Sequence, residues 1–397
     1  MGGVESPIEP GLYPGSMHFL DHAATTPLAP QAREALIRAL EDNYGNPSSV
    51  HAAGRAARKA VEVARDQIAQ AIGASPSEIV FTGGGTEADN LALKGAASKR
   101  RGNGTHLVVS VFEHHAVLEA AEWLEHQGYE VTRVPVTPEG VVEPGAVASA
   151  VRPATTLVSV MSVNNEIGTV QDVAGIAAAV KEANPSTLVH TDAVQALGKV
   201  PVDVGAWGVD LASFSAHKLG GPKGVGALFV RSHVPVEAIV HGGGHERGLR
   251  SGTLNVPGIV GFGAAAEVAA KEVDQEAERL LVLRDRLLEG IRAIVPEVLV
   301  NGTLERRVAN NLNVCIPRAN GETLLLLLDQ AGISCSSGSA CQSGALDPSH
   351  VLLAIGVPRE TAEGSLRFSM GRTTTMADVE AVLEVLPDVV DRARRAA

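Results

Sequence analysis

The sequence predicts an α/β chain of two domains: a large one with a mainly parallel seven-stranded sheet between helices, and a smaller α/β domain after it. Three observations carry this. From about residue 30 to residue 270, short β-branched runs alternate with helical patterns, as expected of parallel strands joined by crossover helices. A helical stretch rich in Ala, Glu, Leu and Arg then runs from Gly258 to about Val295. Beyond it, short strands and helices resume as a second unit. With 397 residues, 45% of them hydrophobic, the chain can bury a large core and exceeds one average domain.

Taken in order, Val61, Ala64, Ile68, Ala71 and Ile72 lie on one helical face. Gly73 ends that helix before a strand opens at 78–82. Further strands are predicted at 106–111, 129–134, 156–161, 187–191, 211–215 and 226–230. The long helix carries Glu276, Glu278, Arg279, Arg284 and Arg286 as a solvated face and bridges the two domains. After it, strands at 311–316, 333–336 and 365–369 form a smaller sheet, with helices at 322–330, 350–355 and 376–395. The expected division is 31–260 for the large domain and 261–397 for the small one, which residues 17–30 join. The opening stretch 1–16 reads as an appended leader or a disordered tail.

A formal net charge of −12 argues against broad binding of nucleic-acid backbones. The three cysteines, Cys315, Cys335 and Cys341, build no paired disulfide framework, so a cytoplasmic location is expected. No run approaches the roughly 20 apolar residues of a membrane span.

The chemistry-bearing residues fall where strands end. Lys218 follows the strand at 211–215 and precedes a glycine-rich turn. A lysine there can form a Schiff base with an aldehyde cofactor once deprotonated, although a lysine taken alone reads as a surface residue. Asp192 closes the strand at 187–191, followed by Gln195. Such a carboxylate can hold a pyridine nitrogen protonated, and Gln195 can reach a phenolic oxygen; alone, Asp192 serves equally well as a helix N-cap. At 82–90 a strand runs through Gly83, Gly84 and Gly85 into a helix, offering free N–H groups and the Thr86 hydroxyl to a phosphate. Many α/β folds have such a turn without a ligand. Cys341 sits among small residues between a strand and the helix near Ser349, the composition of an exposed loop in which a thiolate can act. Cys315 has a core pattern, while Cys335 precedes the loop closely enough to be a secondary sulfur site.

Several stretches together resemble the cysteine desulfurases of the NifS/IscS kind, within the class V aminotransferase group and fold type I of pyridoxal-phosphate (PLP) enzymes. They are Leu-Asp-His-Ala-Ala-Thr-Thr-Pro at 20–27, Tyr-Gly-Asn-Pro-Ser-Ser at 44–49, Gly-Gly-Thr-Glu at 84–87, Val-Asn-Asn-Glu-Ile-Gly at 163–168 and Ser-Ala-His-Lys at 215–218. In the later part they are His-Gly-Gly-Gly-His-Glu-Arg at 241–247, Arg-Ser-Gly-Thr at 250–253, Ser-Ser-Gly-Ser-Ala-Cys at 336–341 and Arg-Phe-Ser-Met-Gly-Arg at 367–372.

This resemblance implies that Lys218 binds pyridoxal 5'-phosphate, Asp192 pairs with its ring nitrogen, Gln195 meets its phenolic oxygen and His114 stacks on the ring. The phosphate ligands fall on Gly85, Thr86, Ser215 and His217, with Thr253 reaching the cofactor of a partner subunit in a homodimer. His115 is then a first-turn residue of the next helix. Asn46, Asn165 and Arg367 match the positions that hold the carboxylate of L-cysteine, and Cys341 the one that takes its sulfur as a persulfide. The segment from Cys341 to Ser349 matches the long-loop IscS-like branch, implying delivery to acceptor proteins, first among them an iron–sulfur scaffold, with tRNA or DNA thiolation enzymes as alternatives. Gln342 departs from the threonine of many relatives. No metal is implied beyond a transient iron–sulfur contact at Cys341. An aminotransferase or lyase of the same fold would share Lys218 and Asp192 without needing Cys341.

Overall fold

The structure is a computed structural model that describes residues 17–337 and 348–396. In chain order its strands are β1 (His18–Phe19), β2 (Ile79–Thr82), β3 (His106–Ser110), β4 (Glu130–Val134), β5 (Thr155–Ser159), β6 (Leu188–Asp192), β7 (Leu211–Ser215), β8 (Gly226–Val230), β9 (Leu299–Val300), β10 (Asn311–Cys315), β11 (Ile333–Ser334) and β12 (Ser365–Ser369). The central sheet has seven strands in the order β2-β8-β7-β6-β5-β3-β4, and only β8 runs against the rest. The expected mainly parallel architecture is therefore present.

Alternation along the strands explains why both faces are covered. On β7, Ala212 and Phe214 join one apolar cluster while Leu211 joins the other; on β8, Ala227 and Phe229 face one way and Leu228 and Val230 the other. Parallel strands buried on both sides read as continuous Val/Leu/Ala runs, which is why they were legible in the sequence.

The helix Val256–Ile294 spans 39 residues and starts at Asn255, whose side chain accepts from Gly258 N–H at 3.1 Å. Its first turns pack Ile259, Phe262 and Ala266 on the central-sheet core; Leu283, Leu287 and Ile291 enter a second core with Leu312, Phe368 and Leu386. Arg284, expected on the solvated face, is instead buried at 6% exposure. It stands four residues after Leu280 and three before Leu287, on the apolar stripe, and its guanidinium pairs with Asp285 at 2.7 Å.

The smaller sheet also differs from expectation. It is antiparallel in the order β12-β10-β9, and β11 leaves it to pair in parallel with β1. β9 has two residues, too short for any periodic signal. The pairing of β1 with β11 ties the segment after Met17 to the C-terminal region, and residues 21–26 reach the carboxyl ends of β6 and β7 in the central sheet.

One buried ion pair fixes the loop carrying the 241–253 motifs. Arg65 and Glu246 meet in two parallel hydrogen bonds of 2.8 and 2.7 Å, Glu246 also accepts from Phe81 N–H at 2.8 Å, and the guanidinium lies 4.6 Å from the Phe81 ring centre. Both side chains are almost fully buried. Glu246→Ala is expected to cost about 3–5 kcal/mol, because it strands the Arg65 charge without a partner. Denaturant unfolding measures this, and a loss below about 1 kcal/mol would contradict the account.

Candidate active site

The site forms at the carboxyl ends of β3, β6 and β7, where helices and loops leave open space. Asp192 is the last residue of β6 and lies in register with Ser213 of β7. Ser215 ends β7, and a single 3₁₀ turn then carries Lys218. Parallel pairing of two buried strands therefore brings Asp192 and Lys218 to the same end of the sheet.

Lys218 Nζ donates to the carbonyls of Ala23 and Ala24, each at 2.7 Å. The stretch 21–26 thus forms a strap over the lysine, pinned by Thr26 Oγ1 donating to the His217 carbonyl at 2.9 Å and by the Thr25 hydroxyl 3.1 Å from His217 Nδ1. Gln195 Nε2 donates to the same Ala23 carbonyl at 2.9 Å.

The glycine turn stands beside them. Helix Gly85–Asn90 runs through a π-turn at Leu91–Gly95 into Ala96–Arg100 without a break. Its first-turn N–H groups have no carbonyl of the same helix to bond. A Cβ on Gly85 would come within 2.7 Å of Val194, just after Asp192, so only glycine lets this turn approach the end of β6. Gly84 has φ +155°, which also favours glycine. Gly83, Gly84, Gly85, Thr86, Ser215, His217 and Lys223 line an open pocket of about 720 Å3. Arg250 holds the turn from outside, with Nε 2.8 Å from Glu87, whose carboxylate also accepts from Gly83 N–H at 2.9 Å. Backbone donors, hydroxyls and a lysine are the kinds of group that bind a phosphate dianion. The pocket, Lys218 and Asp192 together fit pyridoxal phosphate.

His114 caps the helix His115–His126, its Nδ1 accepting from Ala116 N–H at 3.1 Å. Burial, then the Lys218 charge, push it down to about 4, so the ring is neutral at pH 7 and its proton sits on Nε2. His115 begins that helix, as expected, and its ring lies 4.8 Å from that of His350.

Arg367, on β12, is buried at 2% exposure; it donates to the Asn165 carbonyl at 2.9 Å and to Asp21 at 2.8 Å. Its Nε has no hydrogen-bond partner among the described residues. The structure thus joins Asn165, Arg367 and the strap. Two expected residues are not brought in: Asn46 is exposed and closes a local turn with Ser48 N–H at 2.9 Å, and Thr253 is exposed outside the phosphate pocket. Cys341 lies outside the described residues. Burial pushes the Cys315 thiol up to about 11 and drives that of Cys335 far higher, leaving both as poor thiolates. That disfavours the secondary sulfur role the sequence left open for Cys335.

Behind Asp192 lies a buried polar layer that no motif announced. His190 contacts Ser159 at 2.8 Å and Ser213 at 3.0 Å, with Asp89 Oδ1 3.6 Å away. Burial and the Asp192 charge push Asp89 well above the usual carboxylate range. Burial also raises Asp192, while Val194 N–H, Lys218 and Lys199 pull it back toward the carboxylate. Glu113 is pushed up to about 8, chiefly by burial; its Oε1 accepts from Ser110 Oγ at 2.5 Å and Met161 N–H at 2.8 Å.

These shifts set the pH dependence of stability. His22, His114 and His217 are pushed down to about 4 and His190 to about 3, in each case first by burial. The unfolded chain therefore takes up more protons below about 6.5, and stability falls as pH drops from there toward 4. Glu113 has the opposite sign: its stabilisation is full below about 4.5 and is lost as pH rises toward 8. Melting curves are expected to show the acid loss in the parent; in Glu113→Gln the decline between about pH 6.5 and 8 should flatten and the acid loss below 6.5 should steepen, because the opposing Glu113 slope is gone. A parallel profile in that variant would contradict the neutral Glu113.

Residues 18–382 match the Aminotransferase class-V family. The cysteine desulfurase IscS of Methanosarcina thermophila is 48% identical over 376 residues, 95% of this chain and 92% of the relative. Among solved structures, a NifS-like protein superposes with a TM-score of 0.90 at 39% identity, covering 95% of this chain and 100% of the other. A structure described as SspA in complex with cysteine gives 0.78 at 36% identity, over 89% and 98%. The chain belongs to the class-V aminotransferase family and, within it, to the cysteine desulfurases of the NifS/IscS kind.

Proposed function

We propose that this chain is a PLP-dependent cysteine desulfurase that moves the sulfur of L-cysteine onto Cys341 and releases L-alanine. The observation that carries the reading is the meeting of Lys218, Asp192, Gln195 and His114 beside a glycine turn at one end of the sheet. Pyridoxal phosphate, once bound, supplies an electron sink for bonds broken next to the amino carbon of cysteine. Lys218 Nζ holds the cofactor and, when freed, carries protons to and from the substrate carbon. The Asp192 carboxylate keeps the ring nitrogen protonated, and Gln195 donates an N–H to the phenolic oxygen. Gly85, Thr86, Ser215 and His217 hold the phosphate. His114 covers the ring and presents its proton at Nε2.

Arg367 binds the substrate carboxylate, helped by Asn165. The Cys341 thiolate attacks the substrate sulfur. An S–S bond forms and the C–S bond breaks. The electron pair left on carbon takes a proton to give L-alanine.

In this reading the enzyme is a homodimer in which Thr253 reaches the phosphate held by the partner subunit, which accounts for its exposure in a single chain. A fully active monomer in sedimentation would overturn the dimer. The persulfide passes to an acceptor protein, an iron–sulfur scaffold or a thiolation enzyme, in the cytoplasm. No helix among the described residues is long and apolar enough to cross a membrane. The test is to supply L-cysteine with a thiol reductant: alanine and sulfide are expected in equal amounts, and turnover of cysteine without sulfide would point to an aminotransferase.

A further inference from the structure

Lys199 belongs to none of the motifs that carry the proposed function, yet its ammonium donates to Gln195 Oε1. Gln195 is 6% exposed, and its Nε2 donates to the Ala23 carbonyl that also receives Lys218 Nζ. A carboxamide has one acceptor oxygen and two N–H donors. With the oxygen held by a cation and one N–H spent on Ala23, a single N–H remains to be aimed. The flipped amide would set its oxygen against the Ala23 carbonyl and its NH2 against the Lys199 ammonium, two repulsive contacts in place of two attractive ones.

We infer that Lys199 is a positioning residue: it fixes the Gln195 carboxamide so that an N–H, not the carbonyl, faces the phenolic oxygen of the cofactor. The inference rests on the role proposed above for Gln195. The surroundings agree with it. Lys199 is part-buried and lines a cavity of about 340 Å3 together with His22, Thr26, Lys218 and Arg372. Burial first, then the charges of Lys218 and Arg367, push it down to about 7, with Asp192 pulling the other way. Its charge in turn depresses His22 and His217. Even uncharged, its amine still donates to Oε1.

The test is a pH titration of the bound cofactor's absorbance in the holoenzyme, comparing the parent with Lys199→Met, Gln195→Ala and the double variant. An N–H on the phenolic oxygen favours its anion and so lowers the pH at which the chromophore deprotonates. Lys199→Met is expected to raise that midpoint by about one unit. It should also lower kcat about tenfold with KM for L-cysteine unchanged within about twofold. Gln195→Ala should give a similar shift, and the double variant no more than the larger single one. Lys199→Arg, which keeps a cationic donor, should return the midpoint toward the parent. Lys199→Ala repeats the comparison if the longer apolar side chain blocks folding.

A purely structural lysine would lower the melting temperature and leave the midpoint in place. An unmoved midpoint in Lys199→Met beside a shifted one in Gln195→Ala overturns the inference and spares the functional reading. Shifts that add in the double variant overturn it too, since Lys199 would then act independently of Gln195. Unmoved midpoints in both single variants overturn the inference and the role of Gln195 together.

Discussion

Lys218→Ala is expected to remain folded, to lose the yellow cofactor absorbance of the parent, and to lose desulfurase activity by on the order of 10^4-fold or more. Two consequences of geometry set the size of the effect. The strap carbonyls of Ala23 and Ala24 place Nζ at the carboxyl end of the sheet, beside Gln195 and within the field of Asp192 and His114. Among the described residues, Lys199 is committed to Gln195 and Lys223 lines the phosphate pocket, so neither amine stands in the place of Lys218. The phosphate pocket does not depend on Lys218, so weak, non-covalent cofactor binding should survive. Absorbance spectra before and after reduction with borohydride separate the two modes. A covalently trapped cofactor in the alanine variant would contradict the assignment.

Cys341→Ser is expected to separate the carbon chemistry from sulfur transfer. The variant should bind cofactor as the parent does and alter its spectrum on addition of L-cysteine. Its release of alanine should fall by on the order of 10^3-fold, because a serine hydroxyl, unlike a thiolate, is hardly ionised near neutral pH. Cys335 cannot take over, since burial and the Asp21 carboxylate hold its thiol protonated, and Cys315 is sealed in the core beside Asn301. Parent-like turnover in the serine variant would remove Cys341 from the reaction.

Most strands of the central sheet were legible because they are short, largely apolar runs buried on both faces, the edge strand β4 being the exception, and Asp192 and Lys218 interrupt that pattern just where strands end. The glycine turn was equally visible, although the reason Gly85 must be glycine, its approach to Val194, needed the fold. One other feature is a product of chain-distant contacts. The strap at 21–26 reads as an ordinary loop until β1 pairs with β11 and swings it over Lys218. Lys199 looks like any surface lysine near a proline. Its hydrogen bond to Gln195 spans only four residues, but the segment between them is a run of turns and not a helix, so no helical periodicity announces it. Arg284 was misplaced for a simpler reason: charge was weighed above its position on the Leu280–Leu287 stripe. The buried layer of Asp89, His190 and Glu113 carries polar residues in helix, strand and loop positions where a sequence reading expects only packing.

The most direct test of the central claim is to expose the cofactor-loaded protein to a stoichiometric amount of L-cysteine without reductant, quantify alanine, and map added sulfur by peptide mass spectrometry. The account predicts one alanine for each extra sulfur atom, with that sulfur on the peptide containing Cys341. Alanine formed with no sulfur on Cys341, or sulfur found on Cys335 instead, would contradict it.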